Sequence, residues 1–183
     1  AWAVRNDGAG IRGFGVLGAV LIALSFPATG HSADDPARWW LMPLLGLHLL
    51  VVAFWFGALL PLIIVGRRES SALAARVAER FSRFATWLVP LILVAGLLIA
   101  AKLLPDVAAL GGAYGFGLIL KVVAFAALMG LAALNKWRLG PALLSGGVHA
   151  QRALARSVGV EFALIALVLM GTAVLTTFWS PGM

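Results

Sequence analysis

The residues that could do chemistry are few, and most sit where an apolar chain gives them no obvious place. His48 lies inside a long apolar run that opens with Trp39–Trp40. A histidine within a membrane span is costly and marks a functional site by default. It can be a neutral imidazole hydrogen-bonded to a neighbouring helix, or a ligand to a metal or a haem. Nine residues separate it from Trp39, a depth of roughly 13 Å at helical rise. Met170 stands nine residues before Trp179, so it falls at a similar depth. Lys121 follows Tyr114 by seven residues, roughly 10 Å deep. The spacing predicts one layer of His48, Lys121 and Met170 in the outer half of a bundle. Imidazole and thioether together suit a soft ion such as Cu(I). A thioether in a span also serves simply as packing, and a lysine ammonium would repel a metal cation rather than bind it.

His31 lies beyond Pro27, at or above the outer interface. It is either an exposed loop histidine or an outer station about 13 Å above His48. The two share one ion only if the loop at 32–38 folds inward. Glu161 is the only glutamate in a span. It falls level with Arg83, Asn135 and Arg156 near the inner side. A structural ion pair or hydrogen bond is the expected role, and proton or ion exit is the other reading. His149 lies in a basic loop and needs no special role.

Other chemistries find no support. The chain has no cysteine, which removes disulfides and thiolate metal sites. No serine elbow, P-loop or HExxH occurs, and the glycines of GAGIRGFG follow no strand. One glutamate in the spans gives no carboxylate pair. The expectation is a protein that is not an enzyme.

The elements that must carry these residues are membrane helices. Of 183 residues 62% are hydrophobic and 11% charged, against about 25% charged in soluble domains. The pattern predicts an all-α integral membrane bundle of about five transmembrane helices in one domain, 1–183. The spans fall near 13–28, 39–65, 84–104, 114–134 and 157–178, with an amphipathic inner segment at 67–83 that is either an extension or a surface helix. Residues 139–156 read as a loop. Gly13, Gly15 and Gly18 suit close packing of the first span. The net charge of +7 could suggest a nucleic-acid partner. Its placement excludes one, because Lys and Arg gather in the N-terminal segment, 67–83 and 136–156. That asymmetry puts the N-terminus inside and the C-terminus outside.

Several pieces taken in order resemble the copper-resistance D (CopD) family of bacterial inner-membrane proteins. They are Thr29-Gly30-His31, His48-Leu49-Leu50 with Trp55-Phe56-Gly57, and Arg80-Phe81-Ser82-Arg83-Phe84 with Gly96. Tyr114-Gly115 with Leu120-Lys121, Ala133-Leu134-Asn135, and Ser157-Val158 with Glu161 complete the set. The family's Trp-x-Gly-Gly reads Trp55-Phe56-Gly57-Ala58 here, without the second glycine. The resemblance implies a C-terminal copper-resistance domain that handles or takes up copper from the periplasmic side. It makes His31 and His48 the leading metal candidates, with Met170 added from its depth. Trp55, Tyr114, Lys121, Asn135 and Glu161 are motif positions without an assigned role. Expected partners are the lipid bilayer, a periplasmic copper carrier, and further copies or a larger membrane complex. The rival readings are a b-type haem electron carrier and a structural or assembly subunit.

Overall fold

The computed structural model describes residues 16–26, 36–104, 108–145 and 148–178. Regular structure among them is entirely helical. Helix α1 is Val16–Ser25, α2 Arg38–Arg68 and α3 Ser71–Leu103. A 3-10 turn, Ala108–Gly111, leads into α4, Ala113–Leu134. A π turn, Asn135–Leu139, joins α4 to the short α5, Gly140–Leu144. Helix α6 is Val148–Phe178.

Four stretches are long and apolar enough to cross a membrane: Arg38–Arg68, Ser71–Lys102, Gly115–Leu144 and His149–Val174. Helix α1 is the shorter fifth. Its ten described residues rise about 15 Å, half of a bilayer core about 30 Å thick. The bundle turns Phe84, Trp87, Phe116, Leu120 and Leu167 outward. Such a surface suits lipid, because a helix satisfies its backbone polar groups within itself.

Two segments refine the sequence reading. Residues 67–83 are not a separate surface helix: Arg67 and Arg68 end α2, and Ser71 onward is the extension of the third span. Ser70 caps α3, its hydroxyl accepting from the Leu73 N–H, and the helix then runs without interruption into the third span. No glycine or proline occurs between Ser71 and Pro90, so nothing breaks it. Residues 139–156 are also largely helical. Pro141 sits in the first turn of α5, where its missing N–H costs nothing.

Three consecutive aromatic residues of α2 organise the packing. A helix turns about 100° per residue, so Phe54, Trp55 and Phe56 point to three neighbours. Phe54 stacks on Phe81 of α3. Trp55 meets Phe125 of α4 edge-on, and Phe56 stacks on Phe162 of α6 with ring centroids 4.5 Å apart. Below and above them runs a buried stripe of Val51, Trp55, Leu59 and Leu62. It faces a second stripe on α6, namely Leu154, Val158 and Ile165. Both follow the three-and-four spacing of a helix face.

Small residues set the close approaches, and Gly13 and Gly15 lie outside the described residues. A side chain at Gly18 would meet nothing, nor would one at Gly57. The tight contact of α1 is instead at Gly46 of α2, where an added Cβ would lie 3.0 Å from Leu24. Gly66 admits Ala155 of α6. Gly115 lies so close to the Leu110 backbone that no side chain fits. Gln151 ties the α2–α3 turn to α6. It accepts from Ser71 Oγ at 2.8 Å and donates to the Glu69 carbonyl at 2.7 Å.

Candidate functional site

Helix α2 carries one member of each of two polar layers. His48 and Trp55 are seven residues apart, two turns, so they share a face about 10 Å apart along the axis.

The first layer surrounds His48. Its ring lies against α3 at Gly96, where an added Cβ would stand 3.4 Å from Cε1 and 3.8 Å from Nδ1. One turn earlier on α3, the Ile92 backbone lies close to the imidazole. Nδ1 is buried without a partner. A buried ring nitrogen left without a partner is a position at which imidazole can take a metal ion.

Lys121 of α4 is half-buried and lies within electrostatic reach of His48, as the depth reading expected. Met170 is different. Its side chain is 66% exposed, on the outside of the bundle, whereas His48 Nδ1 is enclosed. The height agrees but the direction does not favour a shared ion. His31 lies outside the described residues, as does the side chain of Tyr114. Among the described residues no three of His, Cys, Asp and Glu come together to hold a metal ion.

The second layer surrounds Glu161, which is 2% exposed. It occupies the buried stripe of α6 between Val158 and Ile165, a position the spacing would otherwise give to an apolar residue. Asn135 Nδ2 donates to Glu161 Oε1 at 2.5 Å, and the Trp55 side chain lies within interacting reach of the carboxylate. Indole has only an N–H to offer, so Trp55 can act there only as a donor. The expected hydrogen bond is present. Arg83 pairs instead with Glu79 at 3.1 Å on the surface, and Arg156 is exposed.

Asn135 opens the π turn, and its carbonyl accepts from the Gly140 N–H. A Cβ on Gly140 would crowd that carbonyl at 3.2 Å. Lys136, the next residue, reaches Thr86 Oγ1 of α3 at 2.9 Å. Two polar atoms near this layer remain buried and unpaired, Asn135 Oδ1 and Ser157 Oγ. Ser157 is one turn before Glu161 on the same helix.

The sequence placed Asn135 level with Glu161 and Lys121 level with His48. It missed Gly96 as the seat of the imidazole, and Trp55 as a neighbour of Glu161. A lone glycine among bulky residues (Leu93-Val94-Ala95-Gly96-Leu97) was the available signal for the first. Nothing in the sequence signals the second.

Long apolar helices with an apolar exterior and polar groups held inside define a multi-pass membrane protein. Residues 75–175, more than half of the chain, match the family model of copper resistance protein D (CopD). The chain belongs to that family, and is a copper-resistance membrane protein. No curated protein and no solved structure matches it. The matched segment contains Gly96, Lys121, Asn135, Glu161 and Met170, while His48 and Trp55 precede it.

Proposed function

We propose that the protein binds copper as Cu(I) through His48 and helps move it inward from the periplasmic face of a bacterial inner membrane. The ion is cargo, and no catalytic turnover is involved. One observation carries this reading: Nδ1 of the His48 imidazole is buried and unpaired, against α3 at Gly96. A buried polar atom without a partner is unfavourable unless something fills the vacancy. Neutral imidazole suits a transition-metal ion, copper among them. Membership of a copper-resistance family favours copper.

The direction rests on charge. Arg67, Arg68, Arg76, Arg80 and Arg83 cluster around the α2–α3 turn, and Lys136, Arg138, Arg152 and Arg156 around the α4–α6 connection. The positive-inside rule makes that end cytoplasmic, with the N-terminus inside and the C-terminus outside. His48 is ten residues from the other end of α2, and so faces the periplasmic half. His31 would be the outer station and a periplasmic copper carrier the donor. Met170 would contribute only if its exposed thioether turned inward.

Metal analysis and a visible spectrum of the purified protein, repeated on His48→Ala, test this. Copper should bind to the native protein and be lost or weakened at least tenfold in the variant. Equal copper binding in both would sink the reading. A Soret band would assign His48 to haem instead.

A further inference from the structure

We propose that Glu161 is a proton-binding site: it exchanges a proton with water from the basic end of the bundle, and Asn135 supports both charge states. The inference does not depend on copper binding at His48.

The first argument is what Glu161 lacks. A carboxylate buried in an apolar bundle is normally held by a cation or a metal. Here the Asn135 amide donates to it and the Trp55 indole lies in reach, both of them neutral N–H groups. Titratable and charged groups on the surrounding elements are Arg38, His48, Arg67 and Arg68 of α2, Lys121 of α4, Lys136 and Arg138 of the π turn, and His149, Arg152 and Arg156 of α6. None of them is a partner of Glu161. Those of α3 (Arg76, Glu79, Arg80, Arg83 and Lys102) are exposed. Nothing fixed holds the carboxylate in its charged form.

The second argument is what its neighbour leaves unused. Asn135 gives its Nδ2 to the carboxylate, while its Oδ1 is buried and unpaired. The ionised acid accepts from Asn135. Adding one proton turns one carboxyl oxygen into a donor. A half-turn of the Asn135 amide then presents Oδ1 to accept from it, so the same pair of side chains serves both states. The proton comes from water and returns to it, and the site changes from one negative charge to none. A metal cation fits less well, because it would need several oxygens converging, and Asn135 offers the carboxylate a nitrogen.

The third argument is access. Arg156, five residues before Glu161, is exposed, so the basic end is about 7.5 Å away along the helix. Ser157 Oγ, buried and unpaired, lies between them. A hydroxyl both donates and accepts, as a relay requires. The other end of α6 is seventeen residues off, at Phe178.

Infrared spectroscopy of the full-length protein across pH, with 13C-labelled glutamate, tests the proposal. The chain has three glutamates, and Glu69 and Glu79 are exposed. The Glu69→Gln/Glu79→Gln double variant therefore leaves Glu161 alone without disturbing the bundle. In it a label-sensitive C=O stretch of a protonated carboxyl should appear at acid pH. It should give way to carboxylate bands as pH rises. Glu161→Gln should abolish it, and Asn135→Leu should move its midpoint. A purely structural glutamate predicts no such band, or one unchanged at every pH, and either result overturns the proposal. So does a band that responds to sodium at fixed pH but not to pH.

Discussion

The His48 and Glu161 layers share a helix face but solve the problem of a buried polar group in opposite ways. His48 leans on backbone: its ring lies against α3 near Ile92, and a missing side chain at Gly96 makes room. Its vacancy is a ring nitrogen, with a lysine in electrostatic reach. Glu161 leans on side chains from two other elements, Trp55 and Asn135, and the vacancies beside it are oxygens. The nitrogen vacancy suits a transition-metal ion, and the oxygen-rich layer suits a proton. Two turns of one helix thus separate two different kinds of polar layer.

The strongest way to break this contrast is to empty the second layer. Glu161→Ala should strand the Asn135 donor, worth about 1–3 kcal/mol when buried unpaired, and open a cavity. Thermal unfolding in detergent should show a loss of several kcal/mol. Glu161→Gln should cost clearly less, because an amide still accepts from one donor. Equal losses would mean that the layer is packing rather than hydrogen bonding.

Next in size is the seat of the imidazole. Gly96→Leu should push the ring off α3 and cost about 1–3 kcal/mol by overpacking. It should also weaken copper binding as much as His48→Ala does. Gly96→Ala meets the ring at ordinary contact distance and should change copper affinity by less than about threefold, well under 1 kcal/mol. Isothermal titration with Cu(I) on both variants separates the two.

The smallest effect should come from Lys121→Gln. Removing a positive charge near His48 should tighten Cu(I) binding by about threefold, the scale of a partly screened charge pair. Weaker binding in this variant would show that the lysine supports the site rather than opposing a cation there. The copper affinity of Glu161→Gln should equal that of the native protein, since its layer lies about 10 Å below. A change there would couple the two layers.

Heights in this bundle were readable from the sequence, and directions were not. Helix rise alone set Lys121 beside His48 and Asn135 beside Glu161. The same arithmetic put Met170 at the level of His48, yet its side chain is 66% exposed. Depth follows from counting residues. Azimuth follows from how two helices roll against each other, which depends on contacts such as Gly66–Ala155 and Phe56–Phe162. The indole of Trp55 finds Glu161 for the same reason, through packing that no local pattern encodes. Charge and apolar runs, being local, gave the long spans correctly. The sequence leaves open whether 71–83 extends α3 or lies apart, because amphipathic and apolar segments differ in composition while sharing one helix.

The π turn has a mechanical consequence. By taking one more residue than an α turn, it offsets everything after it by about 100°. The helix before Asn135 and the helix after Leu139 are thus set out of phase, like two gears joined by a coupling with one tooth added. Deleting a single residue from 136–139 would restore phase and swing α5, with buried Leu143, around the bundle. Insertions and deletions at this point would therefore act as changes of angle rather than of length.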